Sequence, residues 1–178
     1  RVLDLKRLLV GLLAVGLLSG CTAQKQDQAL LEQSLNTPFE TTAHLQYQGV
    51  DARMTIKGEG AGRSYTLSFA EPASLKDVEM VFTEDKVTVQ YQDLSMSVKP
   101  ETLTEGMAGD LLMDALQTAL GPDNVKLSRQ EGVLIVQGRL DNGGSFELKL
   151  DSKTGNFLSL SVPENDFFME FSGFEFYR

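Results

Sequence analysis

Val50-Asp51-Ala52-Arg53-Met54-Thr55-Ile56-Lys57-Gly58-Glu59-Gly60-Ala61-Gly62-Arg63-Ser64-Tyr65-Thr66-Leu67-Ser68-Phe69 is two alternating stretches joined by a glycine-rich turn. Val50, Ala52, Met54 and Ile56 alternate with polar residues, and so do Tyr65, Leu67 and Phe69. Period-2 alternation sends every second side chain to one face of a sheet, so each stretch reads as a strand with one buried face. The short connection makes the pair antiparallel.

The same alternation runs outward from this hairpin in both directions. It starts at Phe39 and continues through Val78, Met80 and Phe82, then Val87, Val89 and Tyr91, then Leu94, Met96 and Val98. Further on come Val125 and Leu127, and the solid apolar run Val133-Leu134-Ile135-Val136, which reads as a central strand. Asp141-Asn142-Gly143-Gly144 reads as a type I′ hairpin turn, because Asn-Gly tolerates its positive φ angles. Phe146, Leu148 and Leu150 follow, then Leu158, Leu160 and Val162, then Phe167, Met169 and Phe171. The alternation slips by one at Ser172-Gly173, which suggests a bulge that turns an edge. About eleven strands are expected in all. Two segments read as helices: Gln24 to Leu35, stopped by Asn36 and Pro38, and Asp110 to Leu120, with Asp110 as N-cap and Gly121-Pro122 as the stop. Eleven strands at ~4.8 Å spacing make a sheet ~50 Å wide and ~23 Å tall. Two helices of ~18 Å cover about a third of its face. The sheet is therefore expected to curl around them into an unclosed barrel, with the second helix as a lid and either an apolar cavity or a filled core inside.

Before the first helix, Lys6 and Arg7 precede an apolar run from Leu8 to Leu18 and then Ser19-Gly20-Cys21. That run is too short to cross a bilayer, which takes about 20 residues, and it reads as a signal-peptide h-region. Its ending resembles the bacterial lipoprotein signal, which implies acylation of Cys21 and removal of residues 1–20. Residues 21–38 would form the lipidated N-terminus and helix, and 39–178 a single domain. The expected location is the extracytoplasmic face of a cell membrane, held through acylated Cys21. Without Arg1, Asp4, Lys6 and Arg7, 13 basic side chains face 24 acidic ones, a formal charge of −11. That balance argues against nucleic acid and against a face lying on anionic lipid. Cys21 is the only cysteine, there is one His, and Trp is absent. No disulfide framework, thiolate metal site or multi-His chemistry is available.

No pattern calls for a cofactor, a metal or catalysis. Gly58-Glu59-Gly60-Ala61-Gly62 is followed by a strand, so it lacks the helix N-terminus of a phosphate loop. Lys153 stands where a calcium loop needs an oxygen ligand. His44, between Ala43 and Leu45, falls on the polar phase of its strand, and Glu164 and Asp166 flank a turn. Met54, Met80, Met96, Met107 and Met113 suit either an adaptable lining or a gap-filled core. Seven of the 14 aromatic residues lie between Phe157 and Tyr177, which fits packing or a docking edge.

Tyr65 through Phe69 to Pro72 resembles the Pro-terminated strand of the LolA and LolB type of bacterial lipoprotein carrier, and of the related germination lipoproteins. Phe146-Glu147-Leu148-Lys149-Leu150-Asp151-Ser152-Lys153-Thr154-Gly155 resembles the lysine-containing hairpin of that superfamily. The resemblance spans roughly Gln24 to Arg178. It implies a non-catalytic carrier of a hydrophobic ligand, such as the acyl chain of a lipid or lipoprotein. The alternative it implies is an adaptor docking an envelope or sporulation enzyme. In such carriers an Arg on an early strand latches the lid, and Arg53 is nearest in position; the Arg usual before the Pro is Glu71 here. The expected pocket takes Met54, Tyr65, Leu67, Phe69, Met80 and Val89 from the early strands. Tyr91 and Met96 follow from the next hairpin, Leu112 and Leu116 from the lid, and Phe146, Leu148 and Leu160 from the later strands.

Overall fold

The computed structural model describes residues 18–60, 63–83, 85–99 and 108–177, with side chains from Thr22 onward. The h-region up to Leu17, the Cys21 side chain, Ala61, Gly62 and Met107 lie outside the described residues. The order is α1 (Leu18–Asn36), β1 (Phe39–Tyr47), β2 (Val50–Gly58), β3 (Ser64–Glu71), β4 (Val78–Thr83), β5 (Val87–Tyr91), β6 (Leu94–Val98), α2 (Ala108–Leu120), β7 (Val125–Gln130), β8 (Val133–Arg139), β9 (Ser145–Asp151), β10 (Phe157–Val162) and β11 (Phe167–Phe176). All eleven strands form one antiparallel sheet in the order β6-β5-β4-β3-β2-β1-β11-β10-β9-β8-β7. The sheet does not close, because β6 and β7 remain separate edges.

The first and last strands meet in the middle of the sheet, with Ala43 opposite Phe171 and Leu45 opposite Met169. The slip at Ser172-Gly173 is therefore a bulge in a central strand and turns no edge. The register shifts between Glu40 and Thr42, and Gly173 takes the left-handed φ of +58°. The run Val133 to Val136 is not central either. β8 is second from the edge, with Leu134 and Val136 fully buried and Val133 and Ile135 half-buried on the other face. The turn after it is longer than a type I′ pair, since Arg139 faces Ser145, and among its non-terminal positions Gly143 alone has positive φ. Asn142 contributes its Oδ1, which accepts from the Gly144 N–H at 2.9 Å. Positive φ at both central residues occurs instead at Gln48-Gly49 and Glu131-Gly132.

The two helices lie against the apolar face. α1 buries Asp27, Leu31, Ser34 and Leu35, an i, i+4, i+7, i+8 stripe. Its last carbonyls are capped by side chains: Asn36 Nδ2 donates to Glu32 O at 2.7 Å and Thr37 Oγ1 to Gln33 O at 2.6 Å. α2 starts at Ala108, two residues before the expected cap, so Asp110 sits inside the first turn, where a carboxylate favours the positive end of the helix dipole. Leu111, Leu112, Ala115, Leu116 and Ala119 are each at most 2% exposed.

Candidate functional site

Two close approaches fix where α2 lies across the sheet. At its start, a Cβ on Gly109 would come within 2.1 Å of the Phe82 ring on β4, so the helix begins directly over that strand. At its midpoint, the Asp114 carboxylate accepts from Thr118 Oγ1 at 3.2 Å and from the Asp141 N–H at 3.1 Å, and the second bond pins the helix to the β8–β9 hairpin. Burial, the largest influence on Asp114, holds its pKa above the ordinary carboxylate value. The two anchors are five residues apart, about 7.5 Å along the helix axis, and together they set the direction in which it crosses. α1 is tied alongside by an ion pair between Asp27 and Arg129 of β7.

Register carries the apolar face outward from this plug in rows of directly opposed residues. One row runs Ile56, Leu67, Met80, Val89, Met96. A second links Tyr65, Phe82, Val87 and Val98. In a third, Met54 faces Phe69, and Val78 faces Tyr91, which faces Leu94. Exposure along the first row climbs from 1% at Ile56 and 3% at Leu67, through half-buried Met80 and Val89, to 61% at Met96. The third row ends with Tyr91 at 43% and Leu94 at 73%. The opposite face of the same strands is polar, with Ser68 and Glu79 hydrogen-bonded at 3.2 Å and Thr88 and Ser97 at 2.9 Å.

The expected pocket thus divides in two. Met54, Tyr65, Leu67, Leu112, Leu116, Phe146, Leu148 and Leu160 are 0–3% exposed and lie within one core cluster. A side chain facing an empty space wide enough for water keeps accessible surface, and these do not. Burial pushes the Tyr65 hydroxyl up to about 12. Phe69, Met80 and Val89 are half-buried, and Tyr91 and Met96 are exposed, forming an open apolar wing on β3 to β6. Sequence reading missed Val78 and Leu94 as members of this surface, although their alternation with Met80 and Met96 signals it.

The other candidates lie elsewhere. Arg53 faces outward from β2 opposite His44, and its guanidinium pairs with Glu71 at 3.5 Å on β3. The expected latch to the lid is therefore replaced by a solvent-exposed cross-strand pair, formed with the very residue that departs from the carrier pattern. His44 Nε2 meets Asp51 at 2.9 Å on the same polar face. The Asp151 carboxylate accepts from the Thr154 and Lys153 N–H groups at 2.8 and 2.9 Å, which lowers its pKa and occupies it in its own turn. Glu164 Oε1 accepts from the Ser145 N–H at 3.2 Å. Met113 is buried on α2 itself. Phe157, Phe171, Phe174 and Phe39 stack as a packed cluster with ring centroids 4.9–5.8 Å apart. Among the described residues, no three His, Cys, Asp or Glu side chains gather as a metal site, and no helix is long and apolar enough to cross a membrane.

No protein-family model matches this sequence, and no curated protein matches it as a relative. Solved structures do resemble its fold. An uncharacterised conserved protein from Thermus thermophilus superposes with a TM-score of 0.56 over 88% of each chain at 14% identity. At that identity the likeness shows a shared fold. A chain of the Clostridioides difficile CwlD amidase in complex with the GerS lipoprotein gives 0.49, at 18% identity over 79% of this chain and 86% of that one. A LolA superfamily protein from Nitrosomonas europaea gives 0.42, at 8% identity over 85% and 93%.

Proposed function

We propose that this protein is a non-catalytic binding lipoprotein, held on the extracytoplasmic face of a membrane through acylated Cys21. Its open wing takes the hydrocarbon tail of a lipid or lipoprotein. The observation that carries this reading is the graded apolar floor on β3 to β6, from buried Leu67 to Met96 at 61% and Leu94 at 73% exposed. A covered hydrocarbon gains ~25 cal/mol per Å² of apolar area removed from water, and the two exposed Met and Leu side chains can adapt to a flexible chain. No Lys or Arg stands in the three rows to neutralise a buried phosphate. The tail therefore lies on the floor and the headgroup stays in water.

Affinity for a series of fluorescent fatty acids is expected to rise with chain length, by up to ~0.8 kcal/mol per covered methylene, and to plateau once the floor is full. It should change little with salt. Leu94→Ser with Tyr91→Ser should weaken binding and leave the melting temperature unchanged, because both side chains are exposed. Affinity that ignores chain length and collapses with salt would overturn the reading, and so would a wild type that binds no acyl chain at all. The anchor is tested separately: Cys21→Ala is expected to appear in the soluble extracytoplasmic fraction or as an unprocessed precursor, still folded. Normal processing and membrane retention of that variant would contradict it.

A further inference from the structure

The two edges of the sheet are protected differently. β7 carries Lys126 and Arg129, the kind of charge that discourages another strand from adding to an edge. β6, Leu94-Ser95-Met96-Ser97-Val98, carries no charge, and four of its five residues are exposed. Its pattern is symmetric about Met96. We propose that β6 pairs with β6 of a second copy of this chain, antiparallel about a two-fold axis through Met96.

Three observations select a second copy as the occupant. The first is hydrogen-bond parity. Tyr91 and Leu94 flank a two-residue turn and form the hydrogen-bonded pair that closes the hairpin, so Leu94, Met96 and Val98 direct their backbone groups toward β5. Ser95 and Ser97 direct theirs outward. With Met96 on the axis, Ser95 falls opposite the second copy's Ser97, so outward-facing groups meet outward-facing groups on both sides. A register displaced by one residue would not match them.

The second observation is facial. Leu94 comes opposite the second copy's Val98, and Met96 opposite its counterpart, with the serines together on the polar face. Met96 and Leu94, 61% and 73% exposed in one copy, then gain apolar neighbours, and the two wings join into one continuous floor. The third is charge. Beyond the ends of the ladder, Asp93 stands opposite the second copy's Lys99, once at each end, placing unlike charges together twice. A two-fold contact of this kind is closed and does not propagate into a fibre. The pairing uses backbone groups on the rim and leaves the floor open, so it stands independently of what that floor binds.

Sedimentation of the full chain in detergent is expected to show a monomer–dimer equilibrium. Ser95→Pro removes two of the four inter-copy donors without touching the β5 ladder, and should shift the chain to monomer with an unchanged melting temperature. In a Cys21→Ser background, Met96→Cys should oxidise rapidly to a covalent dimer, since the two residues face each other in a non-hydrogen-bonded pair about 4.5–5.5 Å apart at Cβ. Leu94→Cys, whose opposite number is Val98, should cross-link at least tenfold more slowly. A chain that stays monomeric, leaving the edge to some other polypeptide, would overturn the proposal. A dimer that survives Ser95→Pro, or that cross-links equally well through Leu94→Cys, would also overturn it.

Discussion

Tyr65 shows how a single side chain reports on the packed half of the molecule. It is 1% exposed, and burial lifts its hydroxyl from 10 to about 12. The folded chain therefore holds this proton more tightly than the unfolded chain does. The stabilisation is complete below pH 10 and is lost as pH rises from 10 toward 12, about 2–3 kcal/mol in all. Alkaline titration followed by tyrosinate absorbance should show Tyr65 ionising only as the fold melts; ionisation of Tyr65 while the fold is intact would contradict this burial. Alternation made Tyr65 legible as an inward residue. It could not tell an inward residue against a helix from one against open space, because that depends on which rows α2 covers. Arg53 shows the same limit from the polar side: its nearest opposite charge, Glu71, is set by cross-strand register, which no local pattern reveals.

At the scale of elements, α2 decides how much of the sheet is core. The Leu-Ala stripe and the Gly121-Pro122 stop were readable, and so was the curled sheet. The direction in which the helix crosses was not, since it is set by Gly109 seating on Phe82 and by Asp114 reaching the Asp141 N–H, contacts 27 residues apart in sequence. The same holds for Asp27, which reads as a polar surface position and is buried against Arg129. Because Leu116 is 1% exposed within the packed core, Leu116→Ala is expected to cost about 2–5 kcal/mol in urea unfolding. Its effect on acyl binding should be secondary to that loss. A cost below about 1 kcal/mol would mean that the space under the helix is empty and that the wing is not where the sheet opens.

Across the whole molecule, the sheet has a filled half and an open half. β1, β2 and β8 to β11 bury their apolar face under α1 and α2, whereas on β4, β5 and β6 the row through Phe82 and Val87 stays buried and the other two run out to an uncharged edge. Eleven strands are wider than two helices can cover, and the uncovered remainder lies on one wing. That asymmetry is the basis of the proposed hydrocarbon site. It is tested most directly by photolabelling the full chain with a diazirine-bearing fatty acid and mapping the labelled residues by mass spectrometry. Label is expected on β4 to β6, at Met80, Val89, Tyr91, Leu94 and Met96. Label concentrated on the core strands, at Met54, Phe146 or Leu160, would contradict it.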